Sequence, residues 1–169
     1  MIRHHYKDEA VKNKTFTNCK NFSDIENNLS AIQNDKNRGW AFEVFAEAYI
    51  ICGYVDSVEV VYPENAVPTK IKKTLKLSSK SVDMRGIDGV FKKDSGELHT
   101  YQVKFIGKGK APWGPLTGSI SKSTYADGLL IFTNAPDVDA EVFDTKVPVY
   151  SVKRSNLIEL DEFQIKRIT

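Results

Sequence analysis

The chain has 169 residues, and its 24 basic against 22 acidic side chains leave a formal charge of only +2, which by itself identifies neither a nucleic-acid nor a membrane partner. Its composition, 41% hydrophobic and 27% charged, is typical of one folded domain and excludes a chain that is disordered throughout. No run reaches the roughly 18 apolar residues of a membrane span. Residues 1–20 lack the apolar segment of a signal peptide, and Cys19 and Cys52 fit neither a disulfide framework nor a zinc motif. We therefore expect a cytoplasmic protein.

The first segment in chain order is a lead-in without strong structural signals. Residues 1–22, rich in lysine, are expected to be flexible, and residues 23–169 are expected to form a single domain. His4 and His5 are adjacent, but no cysteine or third histidine stands at metal-ligand spacing. A solvated tail is therefore favoured over a metal site at this end.

Two helices are predicted next. Ser23 and Glu26 fit a capping box, which indicates a helix that runs to about Asn34. A longer helix is expected over 37–52, and its wide apolar surface indicates that it packs deep in the fold. Gly53 stands at the usual C-terminal glycine position and ends this helix.

Downstream, strands alternate with helices. Strands are expected over 55–62, 86–91, 99–106, 129–133 and 147–152, and helices over 117–126, 137–143 and 156–163. A loop-rich insertion is expected over 63–81, and the Asp-Ser-Gly sequence at 94–96 suits a hairpin turn. The order α-β-β-β-α-β-α-β predicts an α/β fold in which helices flank a mixed central sheet.

The residues with the clearest chemical pattern are Asp88, Gln102 and Lys104. An ionised aspartate in an otherwise apolar strand is costly to bury unless it meets a cation. Because side chains alternate along a strand, Gln102 and Lys104 point to one face, where a hairpin can bring them beside Asp88. The carboxylate, the Gln102 amide oxygen and the Val103 carbonyl are oxygen ligands of the kind that Mg²⁺ prefers. Lys104 can then orient the attacking water and neutralise charge on a phosphate.

This pattern resembles the motif of the PD-(D/E)XK nuclease superfamily, which has the restriction-endonuclease-like fold. Asp88 takes the place of the first acid, although Ile87 stands where the named pattern has proline. Gln102, Val103 and Lys104 take the place of the (D/E)XK half, in a form similar to the QxK variant of Mrr-like nucleases and of nuclease domains fused to helicases or methyltransferases.

Two further stretches are similar to that group. Residues 38–43 look like the start of its first core helix, in which Glu43 matches a glutamate that reaches toward the metal. Residues 126–134 look like its Ala-x-Gly-x-x-x-x-Thr strand, so the resemblance covers about 38–152. It implies a Mg²⁺- or Mn²⁺-dependent DNA endonuclease that is part of a restriction or helicase-linked system. The implied catalytic residues are Asp88, Gln102, Lys104 and Glu43, and the implied metal ligands are Asp88, Gln102, Val103 and Glu43.

Each of these residues also has a simpler interpretation. Asp88 could be a turn residue beside Gly89, and Lys104 could protect a sheet edge from aggregation. Glu43 could be a solvated helix position, and Asp83 is an alternative first acid. Gln102 carries no charge, so the site has one anion fewer than a D/E version and is expected to hold its metal more weakly.

Positive charge is concentrated in two stretches, in the insertion and after the QxK strand. Backbone amides at the glycines of 107–110 can approach phosphates closely, and Trp113 could stack on a base. Without a metal site beside them, lysine-rich loops are ordinary solvated surface. The candidate DNA-binding residues are Lys70, Lys72, Lys73, Lys76, Lys108, Lys110, Trp113 and Lys122.

Three functions remain open at this point. The favoured one is a nuclease domain that hydrolyses DNA phosphodiesters, either joined to a helicase or methyltransferase module or acting as a homodimer. The second is a DNA-binding module of the same fold without cleavage activity, which the uncharged Gln102 keeps open. The third is an interaction domain with neither activity.

Overall fold

A five-stranded mixed β-sheet forms the centre of the protein in this computed structural model, which describes residues 1–77 and 86–169 and, at Trp113, only the backbone. The strands are β1 (Val58–Pro63), β2 (Gly89–Lys93), β3 (Leu98–Lys104), β4 (Gly128–Thr133) and β5 (Val149–Val152), side by side in that order. The β1–β2 and β2–β3 pairs are antiparallel, whereas the β3–β4 and β4–β5 pairs are parallel. The predicted hairpin is the β2–β3 pair.

Helices cover both faces of this sheet, so the predicted α/β class with a mixed central sheet is confirmed. They are α1 (Lys7–Lys12), α2 (Phe22–Ser30), α3 (Asp35–Tyr49), α4 (Thr69–Thr74), α5 (Trp113–Lys122), α6 (Arg154–Ile158) and α7 (Glu162–Ile168). Phe42 and Phe45 of α3 pack with Phe132 of β4 on one face. On the other face, Leu116 of α5 packs with Ile131.

Strand alternation along β3 separates two kinds of side chain, as the sequence predicts. Tyr101 and Val103 are buried in the apolar cluster beneath α3. Thr100 lies on the opposite face, where its hydroxyl is 2.6 Å from that of Ser123 at the end of α5. Gln102 points the same way as Thr100. One strand therefore serves the apolar core on one side and a polar layer on the other.

The N-terminal segment differs from the flexible lead-in expected for residues 1–22. It contains α1, and Tyr6 is part of the core cluster. His4, expected to be solvated, is buried. The buried Glu47 of α3 explains the difference, because its carboxylate accepts hydrogen bonds from the backbone N–H groups of Arg3 at 2.7 Å and His4 at 2.9 Å. A contact across more than forty residues of sequence fixes this segment, and no local pattern indicates it.

Two helices begin at other residues than the sequence suggests. The side chain of Asn21 caps α2, in place of Ser23. Helix α5 begins at Trp113 rather than Thr117. Pro115 fits its first turn because the N–H groups there have no partner within the helix, so the missing donor costs little.

The expected loop-rich insertion over 63–81 is partly helical. A single turn of 3₁₀ helix covers Glu64–Ala66, and α4 follows it. Asp83, the alternative first acid, lies outside the described residues. Within residues 1–77 and 86–169, no helix is long and apolar enough to cross a membrane.

Candidate active site

Asp88 lies directly before β2 and beside the middle of β3. Its backbone N–H donates to the Tyr101 carbonyl at 2.9 Å, which places its side chain next to Gln102. The next residue, Gly89, lies against the Tyr101 ring. Only glycine fits there, because a Cβ atom would overlap the ring. Gly86 has φ +90°, and a Cβ atom there would be 2.9 Å from the backbone nitrogen of Ser119. The two glycines therefore let the chain approach β3 and α5 closely enough to position Asp88.

The Asp88 carboxylate is held by two donors on one of its oxygens. Oδ2 accepts from Gln102 Nε2 and from the Val103 backbone N–H, both at 2.6 Å. The Gln102 amide oxygen, Oε1, instead accepts from the Ser119 hydroxyl at 3.0 Å. Gln102 thus orients Asp88 through its nitrogen. To ligate a metal ion as the sequence predicts, Oε1 would have to exchange Ser119 for the ion.

A cavity of about 460 Å³ brings the sequence-predicted catalytic residues together. Asp88, Gln102, Val103 and Lys104 line it from the hairpin, and Glu43 lines it from α3. Its other lining residues are Asp35, Lys36, Arg38, Gly39, Trp40, Phe105 and Gly107. The predicted residues therefore line a single polar cavity.

Two of the carboxyl groups that line this cavity, Glu43 and Asp88, have raised pKa values. Burial, reinforced by the charge of Glu64, raises the pKa of Glu43 to about 8, although Lys104 opposes the shift. Burial also raises the pKa of Asp88 well above its usual value, and the neighbouring Glu43 adds to this. The Val103 N–H and Lys104 lower it only in part. A bound cation would favour both ionised carboxylates.

Glu64 and His4 also lie at this site; the sequence pointed to no role for Glu64, and for His4 it favoured a solvated tail over a metal site. Glu64 follows β1, and its backbone N–H donates to the Asp88 carbonyl at 2.8 Å. Its charge raises the pKa of both Glu43 and Asp88. His4 Nε2 lies 2.8 Å from Glu43 Oε2. The available signals were the position of Glu64 next to Pro63, which ends the strand paired with β2, and the adjacent histidines at 4 and 5.

The donor set fits a divalent ion that keeps part of its water shell. In the described parts of the chain, no group of three or more His, Cys, Asp and Glu side chains is arranged to hold a metal. Mg²⁺, however, is commonly bound by one or two carboxylates with several waters retained. Asp88 and Glu43 supply two carboxylates, and the Val103 carbonyl adds an oxygen. The hydrogen bonds from Gln102 and from the Val103 N–H both go to Asp88 Oδ2, and neither goes to Oδ1.

The candidate DNA-binding lysines surround this region unevenly. Burial raises the pKa of Glu64, and the nearby charges of Lys72 and Lys122 counteract this shift, so both lysines lie near the site. Lys76 stacks on the Tyr125 ring, with its nitrogen 4.1 Å from the ring centre. Lys70 and Lys73 are exposed on α4, and Lys108 and Lys110 are exposed in the loop after β3. The side chain of Trp113 lies outside the described residues.

Comparisons with protein families, with curated proteins and with solved structures find no match to this chain.

Proposed function

We propose that this chain is a metal-dependent deoxyribonuclease domain with a restriction-endonuclease-like core. The observation that carries the proposal is the pair of partly buried carboxyl groups, Asp88 and Glu43, which line one cavity together with Lys104. Ionising two neighbouring acids in such a site is costly unless a cation compensates their charge. An adjacent lysine suits a substrate with negative charge.

Each residue has a distinct task in this proposal. Asp88 and Glu43 would hold the metal, with the Val103 carbonyl as a further ligand. Mg²⁺ or Mn²⁺ bound there supplies Lewis acidity and positive charge to the phosphodiester. Gln102 keeps Asp88 oriented through the hydrogen bond to Oδ2. Lys104 orients the attacking water and neutralises charge on the phosphate.

The basic residues near the site favour DNA as the partner. Lys72 and Lys122 lie close enough to Glu64 to influence its pKa. Four more lysines of the predicted set are exposed, two on α4 and two in the loop that follows the cavity residue Gly107: Lys70, Lys73, Lys108 and Lys110. Lysines in such positions neutralise phosphates without reading base sequence.

The test is cleavage of supercoiled plasmid with Mg²⁺ or Mn²⁺. The parent should nick the plasmid, and Asp88→Asn should reduce the rate by about 10³-fold or more, because removing metal-based charge stabilisation costs several kcal/mol. Lys104→Ala should slow cleavage while metal affinity stays close to that of the parent. Asp94→Asn is the matched control, since Asp94 is an exposed acid in the turn of the same hairpin. Cleavage that survives Asp88→Asn would contradict the proposal.

A DNA-binding module without cleavage is the second candidate, and the Gln102 amide favours it. The nitrogen of this amide, rather than an acidic oxygen, faces Asp88. A parent that binds DNA with steep salt dependence, nicks no plasmid and gains cleavage through Gln102→Glu would support this candidate over the active nuclease.

A further inference from the structure

We propose that His4 is a positioning residue for the metal ligand Glu43, so that the N-terminal segment is a working part of the site. The inference rests on the proposed metal-dependent function and adds a residue to it. His4 Nε2 lies 2.8 Å from Glu43 Oε2, and the His4 side chain is only 3% exposed. A part-buried hydrogen bond of this length restricts the orientation of the Glu43 carboxylate.

The direction of this hydrogen bond follows from the second ring nitrogen. The backbone N–H of Tyr6 donates to His4 Nδ1 at 3.1 Å. A backbone N–H can only donate, so Nδ1 must be the unprotonated nitrogen. The neutral imidazole therefore carries its hydrogen on Nε2, and His4 donates to Glu43. Oxygen Oε2 is thereby held, and Oε1 is left without this donor.

Glu47 sets the ring in place. It lies four residues after Glu43, one turn further along the same face of α3. Its two carboxylate oxygens accept the backbone N–H groups of Arg3 and His4, one each. Within α3, Glu47 thus holds the backbone of the N-terminal segment, and Glu43 contacts the His4 side chain. Outer-sphere donors of this kind orient metal ligands, and their loss commonly weakens metal affinity by about 10- to 100-fold.

The test is calorimetric titration of the full chain with Mn²⁺ alone, for the parent and three variants. His4→Leu should bind Mn²⁺ about 10-fold or more weakly. His4→Gln should recover most of the affinity, because its amide nitrogen can replace Nε2 as donor. His5→Leu is the control, since His5 is the exposed neighbour and stacks on His4 without contacting Glu43 in the described hydrogen bonds.

A second measurement covers the case in which His4→Leu fails to fold. In ¹⁵N-labelled parent protein without metal, the His4 ring should carry its hydrogen on Nε2, and Mg²⁺ should shift the Nε2 signal of His4 but not that of His99. A hydrogen on Nδ1, or no response of His4 to Mg²⁺, would overturn the proposal.

The outcomes separate this inference from the proposed function. A parent that binds no Mn²⁺ would overturn the metal site itself and the role of His4 with it. A folded His4→Leu variant that binds Mn²⁺ as tightly as the parent would overturn only the positioning role of His4. Equal losses in His4→Leu and His5→Leu would do the same, since they would indicate a general effect on the N-terminal segment.

Discussion

The two faces of β3 differ in chemistry although the same seven-residue strand builds both. Toward α3, Tyr101 and Val103 belong to an apolar cluster with the aromatic side chains of the helix. Toward α5, Thr100 and Gln102 are bonded to Ser123 and Ser119. Apolar burial stabilises in proportion to area and tolerates small shifts, whereas hydrogen bonds fix direction. We therefore expect the α3 face of the sheet to determine stability and the hydrogen bonds on the α5 face to determine the orientation of Gln102 and Asp88.

The largest change in the free energy of unfolding should follow from removing a buried aromatic side chain on the α3 face of the sheet. Phe132 is fully buried, with its ring centre 5.3 Å from that of Tyr49 and 5.4 Å from that of Phe42. Phe132→Ala should lower the free energy of unfolding by about 3–5 kcal/mol, measured by urea denaturation. Phe163→Ala should change it by less than about 0.5 kcal/mol, because Phe163 is 74% exposed. Equal losses in the two variants would contradict the assignment of stability to this face.

The cavity should make metal-free stability depend on pH in an unusual direction. The pKa of Glu43 is about 8 in the folded protein and about 4.5 when unfolded, so the folded state binds more protons between these values. Stability from this group is fully present below about pH 4.5 and is lost as pH rises toward about 8, with a slope of at most about 1.4 kcal/mol per pH unit. Thermal unfolding in a chelator should report this fall.

Glu43→Gln should reduce the fall in metal-free stability between about pH 4.5 and pH 8, because glutamine does not titrate. Addition of Mn²⁺ should stabilise this variant much less than the parent, because the variant lacks one of the proposed ligands. Glu59→Gln is the matched control, since Glu59 is an exposed acid paired with Lys92. A parent whose stability rises steadily from pH 5 to pH 8 without metal would contradict the proposed burial of these acids.

A smaller effect should follow from adding a charge to the α5 face. Gln102→Glu replaces the donor on Asp88 Oδ2 by an acceptor, so metal-free stability should fall by about 2 kcal/mol, because acceptors then face each other without a donor. With Mn²⁺ the added anion becomes a ligand, and the stabilisation by metal should exceed that of the parent. The readout is the melting temperature with and without Mn²⁺. A variant that melts like the parent in both conditions would mean that Gln102 has no influence on the site.

The smallest effect should come from Ser119, which orients Gln102 without contacting Asp88. Ser119→Ala removes the 3.0 Å hydrogen bond to Oε1 and should cost about 1 kcal/mol of stability. Because the amide oxygen loses its partner on α5, Mn²⁺ affinity should stay equal or increase. Ser121→Ala, at an exposed position of the same helix, should change neither quantity. A strong loss of Mn²⁺ affinity in Ser119→Ala would contradict this prediction, since it would mean that the Ser119 hydrogen bond is needed for metal binding.

Period-2 alternation made the hairpin half of the site predictable. Asp88 and Lys104 could be placed on one site because strand geometry fixes which side chains share a face. Glu43 could be added through the resemblance of its helix start. These are local signals, and the structure brings the three residues to one cavity.

The other half of the site depends on tertiary contacts that leave no local pattern. His4 reaches Glu43 only because Glu47 holds the N-terminal backbone. Glu64 lies beside Asp88 only because β1 pairs with β2, which places Pro63 opposite Gly89. Two adjacent histidines in a lysine-rich segment give no indication of burial, so a flexible tail was the reasonable expectation.

The central claim is that Asp88 and Glu43 share a divalent ion, and a crystal structure of the protein grown with Mn²⁺ tests it most directly. Anomalous scattering should locate an ion ligated by Asp88 Oδ1, by a Glu43 oxygen and by the Val103 carbonyl, with waters completing the shell. Asp88 Oδ2 should keep its bond to the Val103 N–H. A cavity without anomalous signal at saturating Mn²⁺, or an ion bound elsewhere while both carboxyl groups remain uncoordinated, would contradict the claim.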